Sequence, residues 1–337
     1  MTDKKQKKSD IVSVANAARV SPATVSRFFN RPELVKLATR KKIDSAVKRL
    51  GYIRNRAAQT IHGIRSGTIG ILVPTIDNTI FAEVIQAFSD AVGDSGFTIL
   101  LGTHNYDDKR EYDVLRKFLE HRVDGVALVG LRHSEEVYRL IESQQTPAVS
   151  LWNYAPVSRI PCVGADNYDA GRTIAQHVLS VGHRKVATLF PPLVGNDRAT
   201  SRADGVLEAL GSAEIVPDAE DQLETLYSVS SAKAVVAGYL GSRPHPDVII
   251  CGNDVLALGA IYAAQSCGMR VPEDIAVTGI GDFKGSKEVE PAITTVRIPA
   301  KTIGKLAGEA LVQSIMSPEL PLENQNCVSQ LMVRATC

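Results

Sequence analysis

The segment VSPATVSRFFN, residues 20–30, places hydroxyl groups and a guanidinium close together. Arg27 can donate two parallel hydrogen bonds to O6 and N7 of guanine, the commonest specific contact between a side chain and a base. The hydroxyls of Ser21, Thr24 and Ser26 suit hydrogen bonds to phosphate oxygens. The segment therefore has the chemistry of a nucleic-acid-binding surface. Ser21 also has a simpler interpretation as the cap of a helix.

Three further residues complete this candidate surface. Pro22 and Ala23 carry no hydrogen-bond donor and can make only apolar contacts, for example with the methyl group of thymine. Asn30 is also expected to contact DNA. Recognition of base sequence would therefore depend on few polar contacts, of which Arg27 makes the most important.

The charge of the chain is unevenly distributed. The first 62 residues carry fifteen Lys and Arg against four Asp and Glu, a net charge of +11, and the rest carry 23 against 33, a net charge of −10. This asymmetry is typical of a small nucleic-acid-binding module attached to a body that does not bind phosphate. A disordered basic tail explains only Lys4, Lys5, Lys7 and Lys8, because the residues that follow show patterned apolar positions.

Length and composition indicate a globular protein with more than one domain. The chain has 337 residues, of which 44% are hydrophobic and 22% are charged. Its five cysteines include no C-x-x-C pair, which argues against a disulfide framework and a zinc site. The sequence shows neither a signal-peptide core nor an apolar run long enough to span a membrane. We expect a cytoplasmic protein without membrane contact.

Motifs of common enzyme classes are missing from the sequence. It contains no G-x-S-x-G, no Walker loop and no H-E-x-x-H, and its seven histidines lack the spacing of metal ligands. The segment GIGDFKG, residues 279–285, resembles a dinucleotide fingerprint only loosely, because its last glycine stands one residue too far along. We expect no catalytic residue, no metal and no cofactor.

Three short helices are predicted before residue 52. The first covers Ile11–Ala17, with Ser9 as its cap. The second begins at Ser21–Pro22, because serine caps helices and proline fits the first helical turn. The third ends at Leu50, followed by Gly51, which suits left-handed backbone. The first two helices and the tight turn between them form a helix-turn-helix.

The pattern changes after residue 51. Residues 52–66 are poor in large apolar groups and predict a linker with one short helix around residues 56–61. From residue 69 onward, apolar runs such as IGILV, GVALV, VATLF and DVIIC alternate with helical segments. This alternation predicts parallel sheets with helices on both faces. Similar numbers of strands on either side of residue 164 predict two lobes with a ligand-binding cleft between them.

With its elements in this order, the chain resembles the LacI/GalR family of ligand-responsive transcriptional repressors over nearly its whole length. Within that family its GIGDF segment is most similar to gluconate-type regulators. Ten segments, in the family's order and spacing, carry the resemblance: VSPATVSRFFN, LGYIRNRAAQTI, GILVPTIDNTIFAEV, RVDGVALV, VGADNYDAG, GHRKVATL, NDRATSRADG, CGNDVLALGA, GMRVPEDIAVTGIGDF and PAITTVRIP.

The resemblance implies an α/β protein with an N-terminal all-α helix-turn-helix domain. A two-lobed, periplasmic-binding-protein-like body of two doubly wound parallel-sheet subdomains is expected to follow. The implied boundaries are 1–51 for the helix-turn-helix, 52–66 for a hinge helix and linker, 67–163 with about 291–325 for the first lobe, and 164–290 with about 326–337 for the second.

By the same resemblance, residues 54–61 match the family's hinge helix, which binds the minor groove as a pair. Ile61 stands where the family has a leucine that is pushed between base pairs, and isoleucine is also an apolar wedge. Arg54 replaces the usual proline and adds a charge that attracts phosphate. Asn55 and Ala58 match the family pattern and are expected to contact DNA.

The resemblance also implies a set of effector-binding residues. Family members that bind neutral sugars often have a carboxylate at the positions of Trp152 and Gly281, and this chain has none there. Arg198 lies one helical turn before Arg202, so both guanidiniums can face one pocket and bind an anion. We expect a sugar or sugar acid, with gluconate as the example; a solvated charge at Arg198 and a packing role for Trp152 are the alternatives. The expected effector-binding residues are Phe81, Trp152, Arg198, Arg202, Asn253 and Asp282.

The implied partners are a double-stranded DNA operator, a small effector and a second copy of the chain. One helix-turn-helix reads a half-site, so a homodimer on a pseudo-palindromic operator is expected. The C-terminal NQNCVSQLMVRATC shows no sustained heptad repeat, which favours a dimer over a tetramer. A sugar-binding transport protein and a sugar-processing enzyme are the alternative functions for a two-lobed body.

Overall fold

The structure, a computed structural model, describes residues 9–54, 65–77, 79–242 and 245–337. The chain divides into two compact units, residues 1–66 and 67–337. Among the described residues, no helix has the length and apolar character needed to cross a membrane. The short helix predicted at residues 56–61, and with it Asn55, Ala58 and Ile61, lies outside the described residues.

The described part of the first unit contains three α-helices at the positions that the sequence predicts. Val14, Val25 and Ile43 are fully buried at its centre. Gly51 follows the third helix with a φ of 58°, a left-handed conformation that glycine adopts without strain. The helices are α1 (Ile11–Ala18), α2 (Pro22–Asn30) and α3 (Leu37–Leu50), with a short 3-10 helix at Pro32–Leu34.

The sequence predicts the N-terminal cap of α2 correctly but not that of α1. Ser21 caps α2, as expected. The prediction of Ser9 as the cap of α1 is wrong, because the carboxylate of Asp10 accepts the hydrogen bond from Ser13 N at 2.8 Å. The Ser9 hydroxyl instead donates to Leu50 O at 3.0 Å and so links the two ends of the domain.

The second unit alternates strands and helices along the chain. Its first half contains β1 (Thr68–Val73), α4 (Thr79–Asp94), β2 (Thr98–Thr103), α5 (Asp108–Glu120), β3 (Gly125–Val129), α6 (Glu135–Gln144), β4 (Ala148–Asn153), β5 (Cys162–Ala165), α7 (Asn167–Ser180) and β6 (Val186–Phe190). Its second half contains α8 (Asp197–Ser212), β7 (Gln222–Glu224), α9 (Val229–Ser242), β8 (Val248–Cys251), α10 (Asp254–Ser266), β9 (Ala276–Gly281), β10 (Thr294–Arg297), α11 (Ala300–Met316), β11 (Gln325–Asn326) and β12 (Gln330–Met332).

Two six-stranded sheets form two lobes within this unit. The first has the strand order β11-β5-β4-β3-β1-β2 and the second β12-β10-β9-β8-β6-β7. Neighbouring strands pair in parallel in both sheets, except β12, which pairs antiparallel with β10. The predicted fold class, a helix-turn-helix domain with two doubly wound parallel-sheet lobes, is confirmed.

The crossings between the lobes fall a few residues later than the sequence predicts. β5 ends at Ala165 and still belongs to the first sheet, and β10 pairs with β9 of the second sheet through Thr294 and Thr278. Residues 164–165 therefore belong to the first lobe and 294–297 to the second. An apolar strand of four residues does not reveal which sheet it joins, since both sheets bury such strands on both faces.

Helices α7 and α8 of the second lobe cross at two glycines. A Cβ on Gly171 would lie 2.1 Å from Arg202 O, and a Cβ on Gly205 would lie 2.1 Å from Tyr168 O. Both positions therefore admit no side chain without separating the helices. This close crossing determines where Arg202 lies in the second lobe.

Candidate functional site

Helix α2 and its N-cap present five of the eleven predicted DNA-contacting residues on an exposed face. Thr24 and Ser26 are half-buried beside this face. The guanidinium of Arg27 makes no hydrogen bond or ion pair with any other described residue. Arg27 is therefore available to bind a base or a phosphate. The exposed residues of the face are Ser21, Pro22, Ala23, Arg27 and Asn30.

The hydroxyls on α2 are already engaged within the helix. Ser21 Oγ accepts from Thr24 N at 3.2 Å and lies 2.9 Å from Thr24 Oγ1. Ser26 Oγ accepts from Asn30 Nδ2 at 3.3 Å. The simpler interpretation of Ser21 as a helix cap is correct. A hydroxyl has one donor and two acceptor lone pairs, so capping does not prevent a contact with phosphate.

Arg54 and Asn30, both predicted as DNA contacts, lie against each other. The guanidinium of Arg54 donates to Asn30 Oδ1 and to Phe29 O, the latter at 3.5 Å, and its carbon lies 5.4 Å from the centre of the Phe29 ring. The sequence suggests that the charge of Arg54 attracts phosphate, whereas in the structure its side chain is bound to the C-terminal end of α2. Arg54 thus ties the segment that follows α3 to α2.

Replacing Arg27 with Ala is expected to reduce discrimination at one base pair of the operator by ~1–3 kcal/mol, because the guanidinium fork distinguishes guanine from other bases. Competition binding between operators that differ at single base pairs measures this effect. Arg27→Lys is the matched control, since it keeps the charge and loses the fork. An equal loss of affinity for every sequence would show that Arg27 contacts only phosphate.

A small cavity of about 20 Å³ lies between the two lobes of the second unit. It brings together five of the six predicted effector-binding residues, namely Phe81, Trp152, Arg198, Arg202 and Asn253. Four more residues complete the lining: Ile80, Tyr106, Tyr227 and Phe283.

Arg202 is a buried cation without an acidic partner. Its Nε donates to Asn167 Oδ1 at 2.8 Å, and its Nη1 donates to Gly252 O at 2.9 Å. Among the described residues, no carboxylate forms an ion pair with it. Burial lowers the pKa of Arg202 to about 10, so the group remains charged at neutral pH. Burial of an uncompensated charge is unfavourable, and an anion in the cavity would relieve it.

Arg198 is buried as well, so the alternative of a solvated helix charge is wrong. Its Nη1 donates to Asp197 Oδ1 at 2.9 Å, and its guanidinium carbon lies 5.9 Å from the centre of the Tyr106 ring. The two arginines thus differ in state: Arg198 is paired with a carboxylate of its own helix, and Arg202 is bonded only to neutral groups.

Trp152 both packs in the core and lines the cavity. It is 2% exposed, and its ring centre lies 5.8 Å from that of Phe81. Its φ of 81° lies in the left-handed region, which is uncommon for a bulky side chain and often marks a binding site. The packing alternative for Trp152 is therefore compatible with a role in ligand binding.

Asn253 presents an unused donor to the cavity. Its Oδ1 caps α10 by accepting from Leu256 N at 2.9 Å. Its Nδ2 is buried and has no hydrogen-bond partner among the described residues. A buried donor without a partner is unfavourable, so this amide requires an acceptor such as a ligand oxygen.

Asp282 does not lie with the other predicted effector-binding residues. Its Oδ2 accepts from Arg297 Nε at 2.7 Å, and its Oδ1 accepts from Arg334 Nη2 at 2.6 Å. Phe283, the next residue, lines the cavity instead. The carboxylate of Asp282 is thus bound by two arginines of the second lobe, and its role in effector binding stays a prediction.

Sequence reasoning missed two tyrosines at the cavity. Tyr106 follows β2 in the first lobe, and Tyr227 follows β7 in the second; their rings stack with centres 6.3 Å apart. Burial raises the pKa of Tyr106 to about 12, so its hydroxyl stays protonated and can donate a hydrogen bond. Both rings also line a neighbouring cavity of about 570 Å³. Their loops carry no pattern that would have identified them.

Comparison with known proteins covers both units. Residues 10–55 match the family of bacterial regulatory proteins called lacI, and residues 175–337 match a periplasmic binding protein-like domain. The chain is 31% identical over 315 residues to the HTH-type transcriptional regulator GntR of Escherichia coli, covering 92% of this chain and 93% of that protein. It is 28% identical over 309 residues to the HTH-type transcriptional repressor PurR of Erwinia tasmaniensis, covering 91% and 90%. The crystal structure of the lac repressor dimer bound to operator and the anti-inducer ONPF is similar, with a TM-score of 0.86, 25% identity and coverage of 98% and 99%.

Proposed function

Because this chain belongs to the LacI family and is a DNA-binding transcriptional regulator, we propose that it is a repressor controlled by a small anionic effector. The effector is a sugar acid such as gluconate, bound between the two lobes. The observation that carries this proposal is Arg202, a buried guanidinium whose protein partners are all neutral.

The DNA-binding half of the proposal concerns α2. Its exposed face carries the free guanidinium of Arg27, and the first 62 residues have a net charge of +11. In helix-turn-helix proteins the second helix lies in the major groove and reads one half-site. We therefore propose that two copies of the chain bind a pseudo-palindromic operator. The similar lac repressor structure likewise contains a dimer bound to operator.

The chemistry of the cavity supports an anion. The described residues of its lining include two arginines, two tyrosines and one asparagine, and no Asp or Glu. A guanidinium binds a carboxylate through two parallel hydrogen bonds, and Asn253 Nδ2 and the tyrosine hydroxyls suit the hydroxyls of a polyol chain. A neutral sugar would satisfy the hydrogen bonds but not the charge of Arg202. A cavity of 20 Å³ holds about one water molecule, so the lobes or side chains must move to admit a sugar acid.

Effector binding can control DNA binding because the two equilibria are thermodynamically linked. An effector changes operator affinity only if it binds two conformations of the protein with different affinities. The two-lobed body supplies such conformations through movement of one lobe against the other. A transport or enzymatic role would leave the basic helix-turn-helix domain without a function.

Operator binding is tested by a gel shift with full-length protein and genomic fragments at several salt concentrations. We expect sequence-selective complexes whose affinity falls by about a thousandfold or more between 50 and 200 mM salt, because Lys and Arg release counterions from six or more phosphates. A fragment of the same length and scrambled sequence is the control. Binding that is insensitive to salt, or equal for all fragments, would contradict the repressor assignment.

A further inference from the structure

The two lobes touch at a buried group of charged and backbone atoms beside the cavity. Asp197, the first residue of α8 in the second lobe, accepts hydrogen bonds through Oδ2 from two backbone amides of the first lobe. These are Leu131 N at 2.7 Å and Arg132 N at 3.3 Å. Arg198 Nη1 lies 3.5 Å from Val129 O, at the end of β3 just before these two residues.

Gly130 makes this close approach possible. Its φ is 105°, and a Cβ at this position would lie 2.8 Å from Arg198 Nη1 and 3.0 Å from Asp197 Oδ2. A larger residue would therefore be strained by its backbone conformation and would also collide with the charged pair. The missing side chain of Gly130 leaves the space beside the β3 loop that Asp197 and Arg198 occupy.

The loop is also fixed from its own side. His133 Nδ1 lies 2.8 Å from Glu111 Oε1, and His133 Nε2 lies 3.2 Å from Gly130 O. The side chains of His133 and Glu111 are 1% and 3% exposed. Residues 130–133 are thus held by side chains of the first lobe on one side and by Asp197 and Arg198 of the second lobe on the other.

We propose that Asp197 and Arg198 form a latch that holds the two lobes closed over the cavity. Asp197 is its central residue, because one carboxylate binds both the opposite lobe and the Arg198 guanidinium. Hydrogen bonds to a buried charged group are stronger than those between neutral groups. The latch sets the fraction of molecules whose cleft is open.

The latch has a consequence for ligand selection, which rests on the function proposed above. An anion that reaches Arg198 must compete with the Asp197 carboxylate for the same guanidinium. Such an anion draws the Arg198 guanidinium away from Asp197 Oδ1 and from Val129 O of the opposite lobe, whereas a neutral ligand leaves both contacts intact. The Asp197–Arg198 pair therefore couples the charge of the effector to the contact between the lobes.

Hydrogen exchange of the full chain tests the latch without any effector and independently of the function proposed above. In Asp197→Ala, the amides of residues 130–133, which belong to the opposite lobe, are expected to exchange on the order of tenfold faster. Acrylamide quenching of Trp152, the single tryptophan, should increase in the same variant because the opened cleft exposes its ring. Asp197→Asn, which keeps one acceptor oxygen, should give a smaller change of the same kind.

The matched control is Asp169→Asn, which removes a half-exposed carboxylate from the first turn of α7 in the same lobe. It should leave exchange at residues 130–133 unchanged. Unchanged exchange in folded Asp197→Ala would overturn the proposal. So would an equal acceleration throughout both sheets, because that result would indicate general destabilisation and not opening of the lobes. If Asp197→Ala does not fold, hydrogen exchange of Asp197→Asn replaces it, and the same two results would overturn the proposal.

Discussion

Replacing Arg202 with Ala is expected to abolish the response of the protein to its effector while leaving operator affinity unchanged. The guanidinium lies in the second unit, and α2 in the first, so its loss does not alter the DNA-binding face. Removing one partner of a buried charge pair costs ~2–5 kcal/mol, which lowers effector affinity by about thirtyfold to several thousandfold. Fluorescence anisotropy of a labelled operator, measured with and without gluconate, gives both quantities for the full-length variant.

Two variants make this result specific. Arg202→Lys keeps the charge and loses the bidentate geometry, so it should retain part of the response. Arg172→Ala removes a half-exposed arginine of the neighbouring helix α7, where Arg172 pairs with Asp169, and should respond as the unaltered protein does. An undiminished response in Arg202→Ala would refute the assignment of this cavity as the effector site.

Replacing Gly171 with Ala is expected to destabilise the second lobe by about 3 kcal/mol or more, at the upper end of the costs of overpacking a core. The added methyl group would lie 2.1 Å from Arg202 O, and backbone atoms cannot yield as a flexible side chain does. Helices α7 and α8 must therefore separate, and effector affinity falls as well because Arg202 moves. Denaturant unfolding of the full chain, followed by circular dichroism, measures the loss of stability.

Gly211→Ala in α8 is the matched control. A Cβ at Gly211 meets no atom within 4 Å, and the residue is helical. Alanine favours a helix over glycine by roughly 0.5–1 kcal/mol, so this variant should be as stable as the original chain or more stable. Equal stability of Gly171→Ala and Gly211→Ala would show that the helix crossing tolerates an added side chain and does not determine the position of Arg202.

The features that the sequence predicts correctly depend on local signals. Ser21–Pro22 begins α2 and Gly51 follows the last residue of α3, because capping and left-handed backbone are properties of a few neighbouring residues. The two sheets are predicted because buried parallel strands are continuous apolar runs separated by helices. The resemblance to the family implies six effector-binding residues, and five of these line the cavity.

The features that the sequence does not predict are contacts between distant parts of the chain. The Ser9 hydroxyl binds Leu50 O, a residue 41 positions away, so its sequence context suggests a cap that it does not form. Asp282 is bound by Arg334, 52 positions away, and its carboxylate is not among the groups that line the cavity. The contact of Asp197 with Leu131 likewise joins two lobes whose relative position no local pattern encodes.

Calorimetric titration of the full-length protein with charged and neutral ligands tests whether an anion binds the cavity between the lobes. Gluconate is an open-chain carboxylate, whereas glucose is a neutral sugar that is almost entirely cyclic in water. Glucitol, an open-chain polyol with a hydroxymethyl group in place of the carboxylate, is therefore included to isolate the effect of charge. We expect gluconate to bind, and glucitol and glucose to bind at least about tenfold more weakly, since one charge-assisted hydrogen bond contributes ~1.5–3 kcal/mol. Tight binding of glucose together with no measurable binding of gluconate would contradict this prediction.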